Sequence, residues 1–109
     1  MTEVIYNVTV SISESRVDEW LSWMRQEHIP AVLGTGLFVS AVLVKVIGIE
    51  QGGKTYAVQY RSESMSNYER YQEEFAPSLQ ARSAELFGED AHSFRTVLEI
   101  VEDIKFVLG

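Results

Sequence analysis

The chain has 109 residues, no cysteine, sixteen acidic against nine basic side chains, and a net charge of −7. That length fits one domain over residues 1–109, and the missing cysteine excludes disulfides, thiolate metal sites and a thiol nucleophile. The three lysines and six arginines stand singly along the chain, which argues against nucleic acid and against an anionic membrane surface as partners.

The first segment, MTEVIYNVTVSIS, has neither a basic leader nor a small-residue cleavage site, and so reads as cytoplasmic. Its alternation predicts a strand with Val4, Tyr6, Val8, Val10 and Ile12 on one face and Ile5, Asn7, Thr9 and Ser11 on the other. Ser15 and Asp18 have the spacing of a capping box. Val17, Trp20, Leu21, Met24 and His28 then recur at helical spacing as one buried stripe. Pro30 should break or kink that helix at Ile29 and open a short turn stopped by Gly34 and Gly36. The run LFVSAVLVKVIGI is interrupted by Ser40 and Lys45 and is too short to span a bilayer. Its β-branched, nearly apolar character suggests a central or interface strand. EQGGK reads as a hairpin turn, since Gly52 and Gly53 accept positive φ, and TYAVQYRS as the strand after it. Ser66 and Glu69 suggest a second capping box, followed by a helical face of Tyr68, Tyr71, Phe75, Leu79, Arg82 and Leu86. Pro77 should kink or restart this helix, Gly88 should end it, and HSFRTVLEIVE should form the last strand. The tail DIKFVLG is apolar enough to pack on something, a neighbouring chain included.

The resulting order, β-α-β-β-α-β, predicts an α+β, ferredoxin-like domain: a four-stranded antiparallel sheet with two helices on one face. The other face stays bare and carries large apolar residues among polar ones. Pairing two such faces across a two-fold axis buries both, so a homodimer through the open sheet face is expected.

The blocks IYNVTV, WLSWMRQEHIPAVLGTGLF, YAVQYRS, YERYQEEFAPSL and FRTVLEIV together resemble a bacterial family of small uncharacterised proteins. That family is a domain of unknown function placed in the dimeric α/β-barrel superfamily of ferredoxin-like domains. The resemblance implies a fold and a dimer but no reaction. The wider superfamily includes small monooxygenases, dehydratases, haem-degrading enzymes and ligand-sensing domains, so its fold does not specify an activity.

Among chemistry-bearing residues, His28 lies within the apolar stripe. There it is expected either to act as a base or ligand contact, or to donate to a carbonyl freed by Pro30. Asn7, Thr9, Gln59, Arg61, Arg95 and Glu99 are expected to share one side of the sheet. In the dimer they would meet in a pocket where Arg95 holds a carboxylate or phosphate, unless Arg95 and Glu99 simply pair. Trp20, Trp23 and Tyr71 would line a ligand cavity or belong to the core. The only histidines, His28 and His92, sit on different elements, so no metal site is expected. No cofactor is expected either: no phosphate-cradling glycine loop occurs. Two functions fit these features. One is a small-molecule-binding or cofactor-free enzymatic barrel with its pocket near His28. The other is a non-catalytic structural or protein-interaction dimer.

Overall fold

Strand alternation at the N-terminus organises the sheet. In the structure, a computed structural model that describes residues 2–48 and 52–107, β1 (Val4–Ser13) buries Val4, Tyr6, Val10 and Ile12. It turns Asn7, Thr9 and Ser11 to the opposite face. β1 lies between β3 (Gly53–Ser62) and β4 (Ala91–Glu99). β2 (Ser40–Lys45) adds to the far side of β3, giving the order β2-β3-β1-β4 with every pair antiparallel. This is the ferredoxin-like arrangement that the element order implied. One core joins Tyr6, Val10, Val58 and Tyr60 of the sheet to Trp20, Met24, Val32, Tyr71 and Phe87 of the helices.

The apolar run after Gly36 does not form a central strand. Ser40–Lys45 pairs with β3 at the sheet edge, while Leu37 and Phe38 turn inward to fill the core. Of the hairpin expected over EQGGK, residues 49–51 lie outside the described residues. Gly52 takes a φ of 71°, and Gly53 opens β3 rather than sharing the turn.

The helical segment after β1 also departs from expectation. A 3-10 turn (Glu14–Arg16) leads into α1 (Val17–Trp23), and no side chain caps it, so Ser15 and Asp18 form no capping box. Arg16 instead reaches across the fold, donating to Asp90 at 2.7 Å and to the Leu86 carbonyl at 2.9 Å. That clamp fastens the start of α1 to the end of the last helix.

Pro30 does not break the helix. Met24–His28 form a π turn in which the Ile29 N–H donates to the Met24 carbonyl five residues back, and α2 (Ile29–Gly34) continues directly. The physical reason lies in the proline. It has no N–H to place, its ring clashes with the carbonyl four residues earlier in a tight helix, and a widened turn relieves that clash.

The cap of α3 (Met65–Glu74) is Ser64, whose hydroxyl accepts from the Asn67 N–H at 3.1 Å. Ser66 and Glu69 therefore do not start the helix. The chain breaks at Phe75, and α4 (Ala76–Phe87) restarts with Pro77 in its first turn, where the missing N–H costs nothing. Gly88, with φ of 51°, ends α4. Among the described residues, no helix is long and apolar enough to cross a membrane.

Candidate functional site

The π turn builds the site. On an α-helix, residues advance by about 100° each, so side chains five apart point about 140° away from one another. The π turn closes its hydrogen bonds over five residues and brings such a pair onto one face. Trp23 and His28 are that pair here, their rings stacked 4.8 Å apart at 28°. Trp23 is further fixed by the Phe87 ring, tilted against it with centroids 5.3 Å apart, and by its indole N–H, which donates to Glu27.

Beneath this stack lies a cavity of about 240 Å³ between the helices and the sheet. α1 and the π turn supply Trp20, Trp23, Met24 and His28 to its walls, and α3 supplies Tyr71. Tyr6 and Tyr60, opposite each other on β1 and β3, form part of the floor. Ser93 and Arg95 of β4 and Gln80 and Ser83 of α4 complete the rim.

His28 is half-buried, and its ring makes no hydrogen bond among the described residues. Burial pushes its pKa down to about 4; nearby Arg95 acts in the same direction and Glu27 opposes. The imidazole is therefore neutral near pH 7, able to accept or donate one proton. Burial also raises the Tyr60 and Tyr71 phenols above their ordinary range, so both remain protonated donors. The Arg95 Nε donates to the Tyr6 hydroxyl at 3.0 Å. The Tyr60 hydroxyl is buried and has no partner among the described residues.

The structure thus brings together His28, Trp20, Trp23, Tyr71 and Arg95. It does not bring Asn7 and Gln59 to them. Asn7 is the cross-strand partner of Gln59 and Thr96, whereas Arg95 is opposite Val8, so Asn7 and Gln59 occupy the open face and Arg95 the helix face. The same register puts Thr9 and Arg61 on the open face and Glu99 on the helix face, dividing the six-residue polar group expected on one side. Arg95 and Glu99 form no ion pair among the described residues, and Arg61 pairs with Glu3 at 2.8 Å instead. Nor does His28 cap the helix end at Pro30. Tyr6 and Tyr60 were legible only as core positions; their place under a polar rim depends on β4, whose register the sequence does not state.

On the open face, Val42 is 54% exposed, Phe94 63% and Leu98 40%, interleaved with Asn7, Thr9 and Gln59.

The fold is similar to that of several solved proteins. One is a dimeric ferredoxin-like protein from an uncultured marine organism, 18% identical over 96% of this chain and 100% of that one, with a TM-score of 0.69. An EthD-like protein from Ralstonia eutropha is 11% identical over 95% of this chain and 96% of that one, TM-score 0.68. A haem-degrading protein from Mycobacterium tuberculosis, with two haems bound in its active site, is 14% identical over 93% of this chain and 99% of that one, TM-score 0.60. At these identities the likeness concerns the fold. No curated protein matches the chain. Residues 3–101 match the domain of unknown function DUF4286, and the chain belongs to that family.

Proposed function

We propose that this protein binds a small molecule in the cavity under the Trp23–His28 stack, as a cofactor-free ligand-binding or enzymatic barrel. The observation that supports this most is a preformed aromatic cavity with a neutral imidazole, a buried unpartnered hydroxyl and one guanidinium on its walls. Apolar walls with a few convergent polar groups are the usual outline of a small-molecule site. In this reading His28 is the group positioned to take a proton from a bound ligand, while Trp20, Trp23 and Tyr71 hold the ligand's apolar part.

The open sheet face supports a homodimer. Its exposed valines, Phe94 and Leu98 surround small polar side chains that need few partners, and the structures of like fold include dimers by their own description. The acidic, cysteine-free composition supports a cytoplasmic setting. A second reading, an interaction module, draws on the exposed apolar tail, where Ile104, Phe106 and Val107 are each at least 79% exposed.

Both features are tested by two-dimensional NMR of labelled protein titrated with 2-naphthamide, a neutral planar probe. Shifts are expected at the Trp20 and Trp23 indoles and the Met24 methyl, with none at Thr9 or Phe94. Sedimentation of the same sample should give twice the 12.4 kDa chain mass. Indole and methyl signals unmoved both by this probe and by its acid analogue, 2-naphthoate, would remove the ligand site, and a stable monomer would remove the dimer.

A further inference from the structure

The charge of the cavity opposes that of the chain. Sixteen acidic residues are spread over the sequence, yet among the described residues none lines the cavity, and the one fixed charge on its wall is Arg95. A cavity wall free of carboxylates in a chain of net charge −7 favours a negatively charged occupant over a cationic one.

Arg95 is also free in a way that four of the other five arginines are not. Arg16, Arg61, Arg70 and Arg82 each sit in an ion pair with Asp or Glu. Arg95 has no such partner among the described residues, and Arg95 and the Tyr6 hydroxyl are joined only through Nε. The terminal nitrogens of the guanidinium remain to receive a carboxylate by parallel hydrogen bonds. Because the Tyr6 oxygen accepts from Arg95, its own O–H is left to donate, and the Tyr60 O–H beside it has no acceptor among the described residues. Three donor groups therefore stand on this wall without a matching acceptor. Arg95 lies on an edge strand and is solvent-accessible, which puts the charge at the mouth and the rings deeper.

Size and shape limit the rest of the molecule. A dry cavity of roughly 150 Å³ is enough for benzene, and sites for drug-sized ligands begin at roughly 300 Å³. At about 240 Å³ this cavity suits one substituted ring or two fused rings. The nearly parallel Trp23 and His28 rings, with Trp20 and Tyr71, favour a flat occupant.

Resting on the reading that the cavity is a ligand site, we infer that its ligand class is a compact aromatic carboxylate. The acid group lies against Arg95 and the Tyr6 hydroxyl, and the ring system lies under the Trp23–His28 stack. His28, uncharged, then faces the ring rather than competing for the carboxylate.

The test compares 2-naphthoate with 2-naphthamide, two probes of one shape that differ in charge, by tryptophan fluorescence and NMR at about pH 7. Naphthoate is expected to bind at least about tenfold tighter at low salt. Arg95→Gln should abolish that advantage while leaving naphthamide affinity within about twofold, and Arg95→Lys should restore only part of it. Equal affinity for the two probes in the wild-type protein, or equal weakening of both by Arg95→Gln, would overturn the carboxylate assignment and leave the site standing. Failure of both probes to move the cavity signals would remove the site and the inference together. Thermal unfolding of both Arg95 variants distinguishes loss of binding from loss of fold, and the Lys variant keeps the comparison decisive if the Gln variant is unstable.

Discussion

Trp20→Ala should remove about 3–5 kcal/mol of folding free energy, the largest effect expected of any single truncation considered. Trp20 is only 1% exposed and packs against Tyr56 at 5.4 Å, at the junction of α1 with β3. Domains of this size are held by about 5–15 kcal/mol in all, so the variant should lose a large share of its stability. Its melting temperature should fall by well over about 10 °C. Trp23→Ala is the comparison: Trp23 is half-buried at the cavity wall and should cost distinctly less. Urea denaturation of the two variants checks the order. A greater loss for Trp23→Ala would mean that the helix is rotated from the position described.

His28→Gln should make the protein less sensitive to acid. The native imidazole has its pKa lowered to about 4, while in the unfolded chain it returns to about 6.5. Between these values the unfolded state binds more protons than the native state, so stability rises with pH. The contribution is fully present above about pH 6.5 and is lost as pH falls toward 4. The full shift corresponds to about 3 kcal/mol, and half-burial leaves on the order of 2 kcal/mol after solvent screening. Glutamine keeps a neutral polar group of comparable reach but does not titrate. Between about pH 7 and pH 4.5 the wild-type protein should therefore lose about 2 kcal/mol more than His28→Gln. Carboxylates held below their ordinary range by a neighbouring guanidinium, Glu3 by Arg61 and Glu19 by Arg16, are common to both proteins and cancel in the comparison. Parallel pH profiles would contradict a buried neutral His28. A loss of several kcal/mol by the variant at pH 7 would make the histidine structural instead.

How much of this was legible in the sequence depended on the range of the interaction. Local alternation assigned Val4, Tyr6, Val10 and Ile12 to the buried face of β1, and Tyr56, Val58 and Tyr60 to one face of β3, where the structure has them. Gly88 and Pro77 marked a helix end and a restart because each restricts its own backbone. The element order sufficed for the fold, since right-handed, short connections leave few ways to arrange four strands and two helices. The site was harder. Grouping Arg95 with Asn7 and Gln59 required the register between β1 and β4, and a shift of one residue exchanges the faces. The π turn was hidden for a related reason. A helical wheel assumes a constant advance per residue, so it placed His28 with Met24 and Leu21 and put Trp23 off the stripe. The widened turn sets Trp23 on His28. Pro30 was the visible sign of that irregularity, and its consequence was a wider turn rather than a break.

The central claim is that the ligand site lies between the helices and the sheet, with the open sheet face reserved for a second copy. A crystal structure of the protein grown with 2-naphthoate tests it most directly. The account predicts the naphthalene ring under Trp23 and His28, its carboxylate within hydrogen-bond distance of the Arg95 guanidinium, and the open faces of two copies packed together. Naphthoate seated on the open face beside Asn7 and Gln59, with the helix-side cavity filled by protein side chains, would contradict it.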